Sequence, residues 1–179
     1  VQFAPEAVGR GARAVLAGRE VSGLPVPQIV ADEPRRAVGE AAAALYGRPS
    51  ERLSLIGVTG TNGKTTVAHL LAECLRAGGE TVGLLSTIRY DTGKHSVPAP
   101  LTTPDPVTLT RSLAEMVDSS MDWAVAEVSS HALDQFRAWP HRFVCGIFTN
   151  LTRDHLDYHA DMGAYLRAKT RLFDGLREH

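Results

Sequence analysis

Residues 53–78 read LSLIGVTGTNGKTTVAHLLAECLRAG, and this stretch decides the fold. An apolar run (Leu53, Leu55, Ile56, Val58) leads into Gly60-Thr61-Asn62-Gly63-Lys64-Thr65-Thr66. Beyond it Val67, Leu70, Leu71, Cys74 and Leu75 recur at helical spacing, which predicts an amphipathic helix with those five on one face. Strand, glycine-bearing loop and helix N-terminus together make a cradle for a nucleotide's phosphates. Loop amides and the positive helix end face the anion, Lys64 adds a point charge, and the Thr65 hydroxyl suits Mg²⁺. Val58 stands five residues before Gly63, where phosphate loops usually carry glycine, and glycines fall at Gly57 and Gly60 instead. A glycine-rich turn holding no phosphate is the competing reading, and the order strand, loop, helix weighs against it.

Outward from this stretch, strands and helices alternate. Strands are predicted at 53–58, 82–87, 123–128 and 143–149, and helices at 64–77, 105–118 and 163–176. Such alternation implies an α/β fold: a mostly parallel sheet with helices on both faces, whose ligands gather at the carboxyl ends of the strands. The polar clusters fall there: GTNGKTT after the first strand, Glu127-Val128-Ser129-Ser130-His131 after the third, and residues 150–159 after the fourth. The first fifty residues read as a small α/β piece. Ala4–Gly9 is helical, 13–16 and 28–31 are short strands, and 34–46 is an alanine-rich helix opened by proline. Gly47-Arg48-Pro49-Ser50 breaks the pattern, dividing the chain into 1–48 and 49–179.

Composition narrows the partners. The chain has 179 residues, 44% hydrophobic and 22% charged, with a net charge of −1 and no basic block, so nothing calls for nucleic acid. No apolar run reaches the length of a membrane span, and the first residues do not form a signal peptide. The expectation is a cytoplasmic monomer acting on small molecules, without membrane insertion. Cys74 and Cys145 sit in apolar surroundings and are expected to be buried thiols. A start at Val1 and an end at Arg177-Glu178-His179 just past a helix suggest a piece of something longer.

Three constellations carry chemistry. Glu127 closes the apolar run Trp123-Ala124-Val125-Ala126, where a carboxylate is placed to ligate Mg²⁺; alternatively it caps a helix starting near Ser130. Ser129, Ser130 and His131 would suit a nucleophilic hydrolase, but the glycine pattern of a nucleophile elbow is missing. Asp154-His155-Leu156-Asp157-Tyr158-His159 packs four ionisable groups beside that edge, for metal or acid–base work or as a solvated turn. Lys169 falls within the apolar stripe Tyr165, Leu166, Leu172, Phe173, Leu176, while Arg167 and Arg171 point elsewhere. A lysine there must snorkel, find a partner, lose its proton or be modified, and a neutral amine reacts with CO₂ to give an anionic carbamate.

These motifs coincide with a family. GTNGKTT, the LTTPD segment, EVSSHAL, FTNLTRDHLDYH and AKTRLF resemble, in order, the Mur ligases, and within them the tripeptide-forming MurE branch. The front stretch QFAPEAVGRGARAVLA resembles the end of that branch's first domain. The resemblance implies an ATP-dependent, ADP-forming amide ligase of peptidoglycan synthesis. It would join a diamino acid, diaminopimelate or lysine, to UDP-MurNAc-L-Ala-D-Glu through an acyl phosphate. By motif match Gly60, Thr61, Asn62, Gly63, Lys64, Thr65, Thr66 and Asn150 would hold ATP; Thr65, Glu127 and His155 would bind Mg²⁺; and Lys169 would be an N6-carboxylysine. Lys64, Glu127, His155 and Lys169 would be the catalytic set, and Thr102, Thr103, Ser129, Gln135 and Arg137 would meet the nucleotide-sugar peptide. Leu101 stands where some members carry Asn, and Ala160 where many carry Gly. Complete members are much longer, so these residues alone are expected not to turn over. A simple NTPase and a non-catalytic nucleotide-binding piece remain the alternatives; cyanophycin and folylpolyglutamate synthetases share the ATP module but not the SSHAL and TTP segments.

Overall fold

A computed structural model describes residues 2–177. Six strands form the main sheet in the order β6-β5-β4-β7-β3-β8. β3 (Ser54–Thr59), β4 (Val82–Leu85), β7 (Trp123–Glu127) and β8 (Cys145–Phe148) run parallel, as the alternation implies. β5 (Arg89–Asp91) and β6 (Ser96–Pro98) add an antiparallel hairpin at the β4 edge. The hairpin escapes prediction because Gly93, Lys94 and His95 leave its two three-residue strands too short for a period-two signal. α3 (Lys64–Ala77), α4 (Pro106–Asp118) and α6 (Met162–Asp174) match the predicted helices within a few residues at either end. A further short helix, α5 (Ser130–Asp134), follows β7.

Both faces of the parallel strands are buried, and the alternation of side chains sorts them. Val58, Val82, Leu84 and Val125 face Ala68 and Ala72 of α3. Leu55, Leu85, Ala124 and Ala126 face the other way, with Leu109, Leu113 and Met116 of α4 and Leu172 of α6. Glycines fix how near those helices lie. A methyl on Gly57 would sit 2.6 Å from Leu172 Cδ1 and 2.9 Å from the Phe143 ring, and one on Gly83 2.5 Å from Met116 Sδ.

The predicted apolar faces need correction. On α3, Leu70 and Cys74 are exposed, and small Ala68 and Ala72 make the close contact instead, flanked by partly buried Val67, Leu71 and Leu75. Cys145 is likewise exposed, because β8 is an edge strand. On α6, Leu166 and Phe173 are exposed, and the buried row is Tyr165, Ala168, Lys169 and Leu172. Helical periodicity finds the stripe, and the width of each contact then selects the residues at its centre.

The front residues form α1 (Ala4–Gly9), a parallel pair β1 (Val15–Ala17) and β2 (Gln28–Val30), and α2 (Pro34–Leu45), which packs on α4. The break at Gly47-Arg48 is a turn with both residues at positive φ, +70° and +48°. Behind it Ser50 is tied into the main body through His141, which is buried between Ser50 Oγ (3.3 Å from Nδ1) and Thr110 Oγ1 (3.0 Å from Nε2). Thr110 gives its own proton to the Pro106 carbonyl, so the imidazole donates from Nε2. Arg177 reaches the same turn, donating to the carbonyls of Ser50 and Leu53.

Burial holds the His141 pKa down to about 4 from the usual 6.5. The unfolded chain therefore takes up this proton near pH 6.5 and the folded chain only near pH 4. Stability contributed by His141 is complete above that window and falls by about 3 kcal/mol as the pH drops through it. Urea titrations across the window should show this loss, and His141→Gln should remove most of the slope.

Candidate active site

The loop after β3 is braced from behind by the segment after β8. Gly60 takes φ +144°, and a methyl on it would run into the Thr149 hydroxyl, so only glycine fits. Thr149 Oγ1 and Asn150 Nδ2 donate to the Asn62 carbonyl at 2.6 and 3.1 Å, and the Asn62 amide donates to Asn150 Oδ1 at 3.1 Å. Asn150 is thus engaged with the loop backbone at both ends of its carboxamide. Thr61 is buried: its hydroxyl accepts from the Thr152 amide at 3.0 Å and lies 3.1 Å from the Tyr165 hydroxyl.

This bracing presents α3 with its first turn open. Gly63, at φ +81°, is the N-cap and has no side chain to offer, whereas Asp105, Ser129 and Asp161 cap α4, α5 and α6. The leading amides and the positive dipole end of α3 are left for an anion. Lys64 folds back over the opening, donating to the Gly60 carbonyl at 3.0 Å and the Thr61 carbonyl at 2.8 Å. Burial pushes its pKa down, and the carboxylates of Glu127 and Asp154 oppose that shift. Thr66 is exposed on the same turn.

Glu127 faces this opening because it ends β7 in phase with Val125, on the α3 side of the sheet. It is 1% exposed, yet its carboxylate has three donors: Thr65 Oγ1 at 3.0 Å, the Thr87 amide at 2.8 Å and Thr87 Oγ1 at 3.1 Å. Glu127 does not cap the following helix; Ser129 does, accepting from the Ala132 amide.

The residues matched to the nucleotide-sugar peptide lie alongside. Thr103 is buried, donating to the Glu127 carbonyl at 2.9 Å and accepting from the Ser129 amide at 3.0 Å. Thr102 Oγ1 is 3.1 Å from the Thr87 hydroxyl. Arg137 grips Gln135 Oε1 with Nε and Nη2 at 3.0 and 2.7 Å, and the Thr103 carbonyl with Nη1 at 3.1 Å. Leu101 is half-exposed, and its carbonyl accepts from the Tyr90 hydroxyl.

Lys169 does not snorkel. It is 1% exposed, lies 4.4 Å above the Tyr165 ring, and makes its only hydrogen bond among the described residues to the Gly60 carbonyl at 2.7 Å. Burial first, and then the nearby Lys64 charge, bring its pKa down to about 8, against the pull of Asp154. His155 stands on the adjacent turn at φ +53°, its ring edge-on to His131 (5.0 Å) and Tyr165 (6.0 Å) and its Nε2 3.7 Å from Asp154 Oδ2. Through Tyr165 and Thr61 it joins the same rim. His131 and His159 have lowered pKa values, from burial first and then from their neighbouring histidines.

The donor set suits a hard cation in part. Thr65 and Glu127 offer oxygen within one hydrogen bond of each other, but no group of three His, Cys, Asp or Glu is gathered for a metal among the described residues. An ion here would take its remaining ligands from phosphate and water. Two participants escape sequence reading: Thr87, on a turn with no motif, and Tyr165, read as stripe; His159 and Ser130, each singled out in the sequence, turn out to be a buried pair 3.0 Å apart. Only the hydroxyl of Tyr165, an amphipathic group inside an apolar row, gave a signal.

Residues 58–179 match the family model described as the Mur ligase middle domain. The UDP-N-acetylmuramoyl-L-alanyl-D-glutamate–2,6-diaminopimelate ligase of Aquifex aeolicus (strain VF5) is 48% identical over 171 residues, which cover 96% of this chain and 35% of that enzyme. The ligase of the same name from Bacteroides fragilis is 47% identical over 176 residues, covering 97% and 36%. A solved structure of a ligase of this name superposes with a TM-score of 0.82 at 31% identity, covering 98% of this chain and 36% of its own. The chain spans about a third of the length of these relatives.

At pH 7 about a tenth of a lysine with a pKa near 8 is neutral, far above the share of an ordinary lysine. A ¹³Cε-lysine NMR titration should find one resonance with a midpoint near pH 8, and Lys169→Met should remove it.

Proposed function

Since the chain belongs to the Mur ligase family, we propose that it supplies the phosphate-binding part of an ATP-dependent amide ligase of peptidoglycan synthesis. The proposed substrates are UDP-MurNAc-L-Ala-D-Glu and a diamino acid; the relatives' names favour 2,6-diaminopimelate over lysine. The observation that carries this reading is the Glu127 carboxylate hydrogen-bonded to Thr65 on the uncapped first turn of α3, beside Lys64. We read residues up to 48 as the end of a nucleotide-sugar-binding domain and those from 49 as the start of the ATP-binding domain. Val1, Glu178 and His179 lie outside the described residues.

In this reading the loop from Gly60 to Thr66, with its α3 amides, binds the β- and γ-phosphates. A carboxylate oxygen of D-Glu attacks the γ-phosphorus and ADP leaves. The diamino acid's amine then attacks the acyl carbon, phosphate departs and the amine loses a proton. Lys64 exchanges the Gly60 and Thr61 carbonyls for phosphate oxygens and balances charge on the transferring phosphoryl. When bound, one Mg²⁺ at Thr65 and a second at Glu127 and His155 would add charge neutralisation. Arg137 suits a substrate carboxylate because its guanidinium binds in a fork; Thr102, Thr103, Ser129 and Gln135 line its approach.

Lys169 acts as an anion in this account. Its neutral Nζ attacks the carbon of CO₂, one C–O π bond opens, and the nitrogen's proton passes to water. The product places a carbamate where an ammonium stood, turning repulsion from Lys64 into attraction.

In the full-length protein, ADP release should require both the nucleotide-sugar dipeptide and the diamino acid, and Lys64→Ala should lower it by about a hundredfold or more. ADP release with neither substrate present would identify a plain NTPase. [¹³C]Bicarbonate should give a carbamate resonance that Lys169→Met abolishes.

A further inference from the structure

α5 ends in a way that points beyond its own caps. The Arg137 amide donates to the Ala132 carbonyl at 2.8 Å and the Phe136 amide to the Leu133 carbonyl at 3.3 Å. This is the paired closure in which the residue after the C-cap turns left-handed, a place that glycine usually fills. Here Phe136, with a side chain that disfavours it, fills it at φ +57°. Such strain persists where the surroundings over-determine it.

The surroundings are two guanidinium groups from separate elements. Arg36 of α2 lies 4.4 Å from the Phe136 ring centroid and 4.9 Å from that of Trp139. Arg171 of α6 lies 5.1 Å from Phe136 and is itself fixed by Asp134 Oδ1 at 3.0 Å. α2 approaches the same turn closely enough that a methyl on Gly39 would collide with the Trp139 carbonyl. Phe136 is flanked in sequence by Gln135 and Arg137, whose side chains grip each other and the Thr103 carbonyl. Thr103 in turn holds the carbonyl of Glu127.

We propose that Phe136, clamped between Arg36 and Arg171, is a positioning residue that couples α2 of the front segment to the Gln135–Arg137 grip. Its ring anchors the turn from one side while the residues before and after it reach toward Thr103. Removing the clamp frees the left-handed turn to relax, and the Arg137 fork then loses its fixed aim. The functional consequence rests on the proposal above that this fork meets the nucleotide-sugar dipeptide.

The test reads Arg137 directly. The hydrogen bond from Arg137 Nε–H to Gln135 should slow its exchange with solvent, which arginine-labelled NMR of the protein measures. Arg36→Ala and Phe136→Ala should each speed that exchange by about two- to fivefold, the scale of one exposed cation–ring contact, and Phe136→Tyr, which keeps the ring, should leave it at the wild-type rate. Thermal unfolding of each variant checks that the fold holds. Wild-type exchange rates in folded Arg36→Ala and Phe136→Ala would overturn the coupling. The substrate reading fails separately: UDP-MurNAc-dipeptide binding Arg137→Ala as tightly as wild type would remove it and leave the coupling standing. With both correct, Arg36→Ala raises KM for the dipeptide about two- to fivefold and leaves KM for ATP unchanged.

Discussion

Two lysine amines share one carbonyl oxygen. Lys64 and Lys169 both donate to Gly60, at 3.0 and 2.7 Å, from helices on opposite faces of the sheet. A carbonyl has two lone pairs and can accept both, but two ammonium groups so close repel, and burial withholds the water that would screen them. Burial first, and then this Lys64 charge, lower the pKa of Lys169 to about 8. An anion bound beside either lysine, as proposed above, would relieve that repulsion.

Everything that brings the amines together is backbone geometry set by small residues. Gly60 leaves room for Thr149, Gly57 lets Leu172 and Phe143 seat α6 against β3, and Ala68 and Ala72 seat α3 on the other face. The alternation along β7 then sends Glu127 toward α3 while its neighbours Ala126 and Ala124 pack under α4. Enlarging any of these small residues would move a helix, and with it a lysine. The rim is therefore a property of the sheet's packing as much as of the loop.

The parallel core and its helices were legible because their periods are long enough to read. The glycine-bearing loop between β3 and α3 was legible because its residue types recur at fixed spacing between a strand and a helix. The β5–β6 hairpin was not, since three-residue strands carry almost no pattern. Leu70, Cys74, Leu166 and Phe173 were assigned to buried faces and are exposed, because periodicity gives direction and not the width of a contact. Lys169 stood out as a charge in an apolar row. Thr87 did not, although it gives Glu127 two of its three hydrogen bonds: a threonine on a turn has no distinguishing sequence context. The clamp on Phe136 joins residues a hundred positions apart and is visible only in three dimensions.

The most direct test of the central claim is a crystal structure of the protein with a non-hydrolysable ATP analogue and Mg²⁺. The account predicts the β- and γ-phosphates against the first turn of α3, with the Lys64 ammonium moved off the Gly60 and Thr61 carbonyls onto phosphate oxygen. Nucleotide density elsewhere on the molecule, with Lys64 still folded onto its own loop, would contradict it.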